Sequence, residues 1–77
     1  MSISTNGQAA DPITKIGATA GTVWHTLSEQ GPMTVSKLVK EVGDPRDVVL
    51  QALGWLARED KLLFEEKGRT RLVGLRE

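Results

Sequence analysis

Cysteine is absent from the 77 residues, so neither a disulfide nor a thiolate metal site can hold this chain together. Histidine occurs once, as His25, which removes multi-imidazole metal centres and leaves only scattered carboxylates as ligands. Tyrosine is missing and Phe64 is the single phenylalanine, so Trp24 and Trp55 carry most of the aromatic surface. No apolar run approaches the ~20 residues that cross a bilayer. Net charge is lacking as well: ten basic and ten acidic residues cancel, and the pI is about 6.6. A dedicated nucleic-acid binder usually has a basic excess, because neutralising phosphates supplies much of its affinity. Any contact with nucleic acid must therefore come from a local basic patch.

What remains is enough for one domain. Met1 to Ala10 are mostly small or polar and show no periodic apolar pattern, which predicts a disordered tail over residues 1–10 and a folded domain over 11–77. The tail lacks the basic start and apolar stretch of a secretory signal, and with the missing cysteine this fits a cytoplasmic location. About 65 residues bury only roughly 60% of their unfolded surface, so stability has to come from compact helix packing or self-association.

Asp11-Pro12 has the form of a helix start, with a capping carboxylate and a residue pre-set for the first turn. Ile13, Ile16, Ala20, Val23, Trp24 and Leu27 then recur at helical spacing, and Gly31-Pro32 ends the run. A first helix over Pro12 to Gln30 follows, with Trp24 in its core face. Met33-Thr34 reads as a very short strand, and Thr34 as the cap of a second helix whose apolar face is Val35, Leu38, Val39 and Val42. After Gly43, Asp44 is the expected cap of a third helix over Pro45 to Glu59, which buries Val49, Ala52, Leu53 and Leu56. Leu62 to Glu65 and Thr70 to Leu75 flank the polar Glu66-Lys67-Gly68-Arg69 and predict a hairpin. The fold class is mainly α with a small β-sheet: a winged helix-turn-helix of three helices and a C-terminal β-hairpin wing.

The run Ala52-Leu53-Gly54-Trp55-Leu56-Ala57-Arg58-Glu59-Asp60-Lys61-Leu62 resembles the signature of a small uncharacterised winged helix-turn-helix family of bacteria and archaea. Ile16-Gly17, Ala20-Gly21 and Val23-Trp24 are similar to that family's first helix. The resemblance spans roughly Ile13 to Leu75 and implies a winged-helix fold with a DNA-binding role. It implies no catalytic or binding role for any individual residue.

In a DNA-reading helix-turn-helix, the second helix of the motif enters the major groove with its N-terminal residues on base edges. Arg46 and Gln51 are the candidates here, since Arg suits guanine and Gln suits adenine. Arg58, late on the helix, suits backbone. Lys67, Arg69 and Arg71 cluster around the wing turn and could neutralise phosphates, with Lys37 and Lys40 of the second helix on flanking backbone. Asp47, Glu65 and Glu66 oppose that field, and all of these charges also make an ordinary solvated surface. Double-stranded DNA is the leading partner, read by a transcriptional regulator. The rival is a protein partner or a homodimer contact at Leu50 and Trp55, because aromatic anchors are enriched in protein interfaces.

Gly17 and Gly21 lie one turn apart inside the first helix, where each glycine costs about 1 kcal/mol relative to alanine. A bulky side chain lying over them would account for both, either Trp55 of the same chain or a residue across a dimer. Catalysis finds no support. His25 has hydroxyls beside it in sequence, but adjacent helical positions do not face one another, and no phosphate-binding glycine loop occurs. The chain is read as a non-enzyme that needs no cofactor and no metal.

Overall fold

The computed structural model describes residues 11–76. Its elements are α1 (Pro12–Gln30), β1 (Met33–Thr34), α2 (Val35–Val42), α3 (Arg46–Arg58), β2 (Leu62–Lys67) and β3 (Thr70–Leu75). The tail expected over residues 1–10 lies outside the described residues. Within them, no helix is long and apolar enough to cross a membrane.

The helix ends follow the local chemistry. Asp11 accepts from the Ile13 N–H at 3.2 Å and from Thr14 Oγ1 at 3.0 Å, and Pro12 opens the first turn. At the other end the Gly31 N–H donates to the Leu27 carbonyl at 2.9 Å. Thr34 Oγ1 accepts from the Lys37 N–H at 3.2 Å to start α2. Gly43 stops it in the left-handed region, at φ 82°, where a side chain would be strained.

The start of α3 differs from expectation. Pro45, extended at φ −56° and ψ 143°, occupies the cap position, and no side chain caps the helix. Asp44 is thereby one residue too early to cap, and its carboxylate turns to α1 instead. Thr19 Oγ1 donates to Asp44 Oδ2 at 2.9 Å and Lys15 Nζ lies 3.4 Å from Oδ1. Thr19 is only 1% exposed, so its hydroxyl requires an internal acceptor. The turn between α2 and α3 is thus tied directly to the first helix.

The sheet is antiparallel with order β1-β3-β2. Strand β2 runs to Lys67, two residues beyond the expected Glu65, because Lys67 pairs with Thr70 and Glu66 with Arg71. The turn shrinks to Gly68-Arg69, with Gly68 at φ 61° as a two-residue hairpin loop requires. Gly74 is required for a different reason: a Cβ there would lie 3.0 Å from Pro32 Cγ. Asp60 takes the left-handed conformation after α3, at φ 62°, and its carboxylate accepts from Arg76 Nη1 at 2.6 Å.

One core unites the elements: Ala20, Val23 and Leu27 of α1, Met33, Leu38, then Val49, Ala52, Leu53 and Leu56 of α3, with Leu62 and Val73 of the sheet. Trp24 departs from expectation, being 46% exposed. Successive helical residues turn by about 100°, so with Val23 pointing inward Trp24 is carried to the flank. Thr19 and Thr26 fill the inward face instead; Thr26 satisfies its hydroxyl on the Thr22 carbonyl at 2.8 Å. Ile13, two-thirds exposed, falls on the same flank as Trp24. Nor does Trp55 cover the glycines: a Cβ built at Gly17 or Gly21 would meet no packed neighbour within 4 Å.

The Thr19–Asp44 bond gives a direct test. Thr19→Val keeps the side-chain shape but strips the carboxylate of its nearly buried donor. It should cost about 1–2 kcal/mol, a melting temperature lower by roughly 4–8 °C per kcal/mol in a domain of this size. Thr22→Ala removes a hydroxyl bonded only within its own helix and should leave the melting temperature equal or higher. Equal losses in the two variants would show that the long-range bond contributes nothing.

Candidate nucleic-acid interface

The pairing of Met33 with Val73 and Thr34 with Leu72 lays β1 along β3. Because α2 follows Thr34 without a break, its first turn is carried to the wing. Thr34, Val35 and Ser36 on one side and Glu66, Arg69, Thr70 and Arg71 on the other line an open cleft of about 530 Å³. The N–H groups in the first turn of a helix lack intrahelical partners and contribute positive potential. The cleft thus combines two guanidinium groups, three hydroxyls and a helix start, opposed by a single carboxylate.

Strand register divides the wing's charges between two faces. Paired residues share a face, so Leu62, Phe64 and Glu66 stand with Leu75, Val73 and Arg71 on the side that carries core residues. Lys67 lies with Leu63, Glu65 and Thr70 on the opposite side. Arg71 Nη2 is 2.9 Å from Glu66 Oε2, an exposed cross-strand pair. Lys67 and Arg69 have no ion pair among the described residues. The three wing cations expected from sequence to act together are unequal: Arg69 lies at the tip and lines the cleft, Arg71 lines it while paired with Glu66, and Lys67 is not among the residues that line it.

On α3, Arg46, Gln51 and Arg58 are all exposed. Asp47, Gln51 and Arg58 lie close to one outward stripe, opposite Val49 and Leu56, while Arg46 lies toward the Leu50 flank. Arg46 and Arg58 are about 18 Å apart along the axis, so one base step cannot engage both. Lys37 and Lys40 are exposed on α2, with Ser36 and Lys40 one turn apart on a stripe that leads into the cleft. Leu50 (42% exposed) and Trp55 (43%) occupy opposite flanks of α3, so they do not form one patch.

Only three of the ten Lys and Arg side chains are ion-paired among the described residues: Lys15, Arg71 and Arg76. Every cation of α2 and α3 is unpaired, as are Lys67 and Arg69. His25 Nε2 lies 3.2 Å from Glu29 Oε2 on the exposed face of α1, an ordinary one-turn pair. Among the described residues no group of three or more His, Asp or Glu could hold a metal ion.

Sequence reasoning identified these cations but missed Thr34, Ser36 and Thr70 as site residues. The β1–β3 pairing brings Thr34 and Ser36 to the cleft, and the β2–β3 hairpin brings Thr70. A strand partner for Met33-Thr34 is the signal that would have brought in the first two.

Comparison with known proteins agrees with the fold. Residues 11–75 match a family described as "Winged helix-turn-helix domain (DUF2582)". An uncharacterized protein of Methanocaldococcus jannaschii, MJ1608, is 34% identical over 64 residues, covering 80% of this chain and 91% of the relative. The solution NMR structure of protein BT2368 from Bacteroides thetaiotaomicron superposes with a TM-score of 0.72 at 34% identity, over 80% of this chain and 76% of that one. Element order, sheet topology and these matches together establish that the chain belongs to this winged helix-turn-helix domain family.

Proposed function

We propose that the protein binds duplex DNA, with the first turn of α3 toward the major groove and the wing and the start of α2 on phosphate, and that it serves as a transcriptional regulator. The observation that carries this reading is the distribution of unpaired cations. Among the described residues Lys37, Lys40, Arg46, Arg58, Lys67 and Arg69 have no acidic partner, all within the helix-turn-helix and wing, where they alternate with the unpaired Glu41, Asp47, Glu59 and Glu65. A local field of that kind can act on a polyanion although the total charge is zero. Arg46 and Gln51 would read base edges. Arg69, Arg71, Lys37 and Lys40 would hold phosphates around the cleft, while Lys67 and Arg58 meet the backbone further out. A protein-interaction role is the second reading, favoured by the exposed Leu50 and Trp55.

Titration of the labelled protein with mixed-sequence duplex at low salt, followed by amide NMR shifts, tests the proposal. Non-specific affinity is electrostatic, so random sequence suffices. Shifts should gather on residues 34–37, 46–51 and 67–71 and fade as salt rises. No shifts at near-millimolar DNA would end the DNA reading and move attention to Leu50 and Trp55.

The Glu66–Arg71 pair yields a second expectation. Glu66→Gln releases Arg71 and removes an opposing charge, so affinity at low salt should rise. The plot of log affinity against log salt should steepen by about one unit. Arg69→Ala should flatten the same plot by about one unit. A slope unchanged by both substitutions would take the wing out of the contact.

A further inference from the structure

We infer that the cleft between the wing and the start of α2 binds a small phosphate monoester bearing hydroxyls, and that this ligand competes with DNA for the protein. The competition rests on the DNA reading above; the monoester site does not. Its first support is the state of the hydroxyls. All four threonines of α1 give their O–H to a protein oxygen: Thr14 and Thr19 to aspartates, Thr22 and Thr26 to carbonyls of their own helix. Thr34, Ser36 and Thr70 differ, for among the described residues their O–H groups have no protein acceptor, and all three line this one cleft. Thr34 Oγ1 accepts from the Lys37 N–H at 3.2 Å, which leaves its O–H to donate.

The second support is a surplus of donors over what DNA can use. Arg69 and Arg71 line the same cleft, and a guanidinium carries five N–H donors and no acceptor. Arg71 gives part of that capacity to Glu66 at 2.9 Å, while Arg69 has no ion pair among the described residues. A DNA backbone phosphate presents a single charge and two free oxygens between its sugars, so most of these donors would stay unused. A phosphate monoester presents three terminal oxygens and a charge of about −1.5 to −2 near neutral pH. It can take bidentate contacts from both guanidinium groups and still accept from the hydroxyls.

The cleft also has room for more than phosphate. Its volume of about 530 Å³ falls within the range of roughly 300–1,000 Å³ found for small-molecule sites. Val35 is the single apolar side chain in the lining, which disfavours a lipid or an aromatic body. Glu66 is the single carboxylate there. Once the phosphate has taken Arg71, that carboxylate is free to accept from a hydroxyl of the ligand. Monoester and DNA call on the same arginines, so each lowers the other's affinity.

Amide NMR of the labelled full chain without DNA reads the site out, with glycerol 3-phosphate as the probe and chloride holding ionic strength constant. Residues 34–37 and 69–71 should shift and saturate at millimolar probe, and dimethyl phosphate, a diester, should bind several-fold more weakly. Arg69→Ala should weaken the monoester about tenfold and Ser36→Ala about threefold. Ser28→Ala, which alters a hydroxyl outside the cleft, should change nothing. In a mixture with duplex DNA at constant ionic strength, the monoester should displace the DNA. Shifts that never saturate, or that the diester matches, would overturn the inference, as would DNA affinity unchanged with the monoester bound. DNA binding without monoester shifts would end the site and leave the DNA reading standing. Saturable monoester shifts in a protein that ignores DNA would support the site and end the DNA reading.

Discussion

The pairing of two residues in β1 with β3 is the contact on which the arrangement of this protein depends. Met33 and Thr34 add only two rungs to the sheet, yet they convert a terminal hairpin into a three-stranded sheet joined to the helices. An isolated hairpin is marginal in water, so the wing needs this third strand and the core beneath it to hold its direction. The same two residues begin α2, and Thr34 supplies its cap. Wing orientation and the start of the helix-turn-helix are therefore set by one short stretch of backbone. Met33, buried between them, anchors that stretch in the core.

The elements were legible wherever two local signals agreed. Asp11-Pro12 and Gly31-Pro32 delimit α1 at both ends, and the structure places it at Pro12–Gln30 as read. Thr34 and Gly43 do the same for α2. Where one residue had two possible uses, sequence could not choose. Asp44 has the chemistry of a helix cap, but it also suits the buried Thr19 hydroxyl, and only the folded chain brings that hydroxyl within 2.9 Å. The helical spacing of apolar residues puts Trp24 in the core face. The axis of the buried face is set by Val23 and by two threonines whose hydroxyls are satisfied internally, which periodicity of apolar residues cannot register.

The candidate site was half legible in the same sense. That Arg46, Gln51, Arg58 and the wing cations are exposed follows from helical and strand periods. That Arg69 and Arg71 face Thr34 and Ser36 depends on which strand lies beside which, a relation between segments more than thirty residues apart. The division of labour within the wing was equally hidden. Only the pairing of Glu66 with Arg71 reveals that one cation is already engaged and that Lys67 points the other way. Among the described residues four acids are paired, with Lys15, Arg71, Arg76 and His25, while the cations of α2 and α3 have no acidic partner and share those helices with the unpaired Glu41 and Asp47.

The position of β2 has a further consequence. It is an outer strand, so one row of its backbone N–H and C=O groups is unpaired within the sheet, and Leu63 and Phe64 stand about half exposed along it. An edge of that composition is a template for adding strands from other molecules, and charge at the edge is the common defence. Glu65 and Glu66 provide it immediately after the two apolar residues. The acids that dilute the wing's attraction for phosphate are therefore the ones that keep the sheet from growing, which limits how basic such a wing can become before the folded protein begins to aggregate.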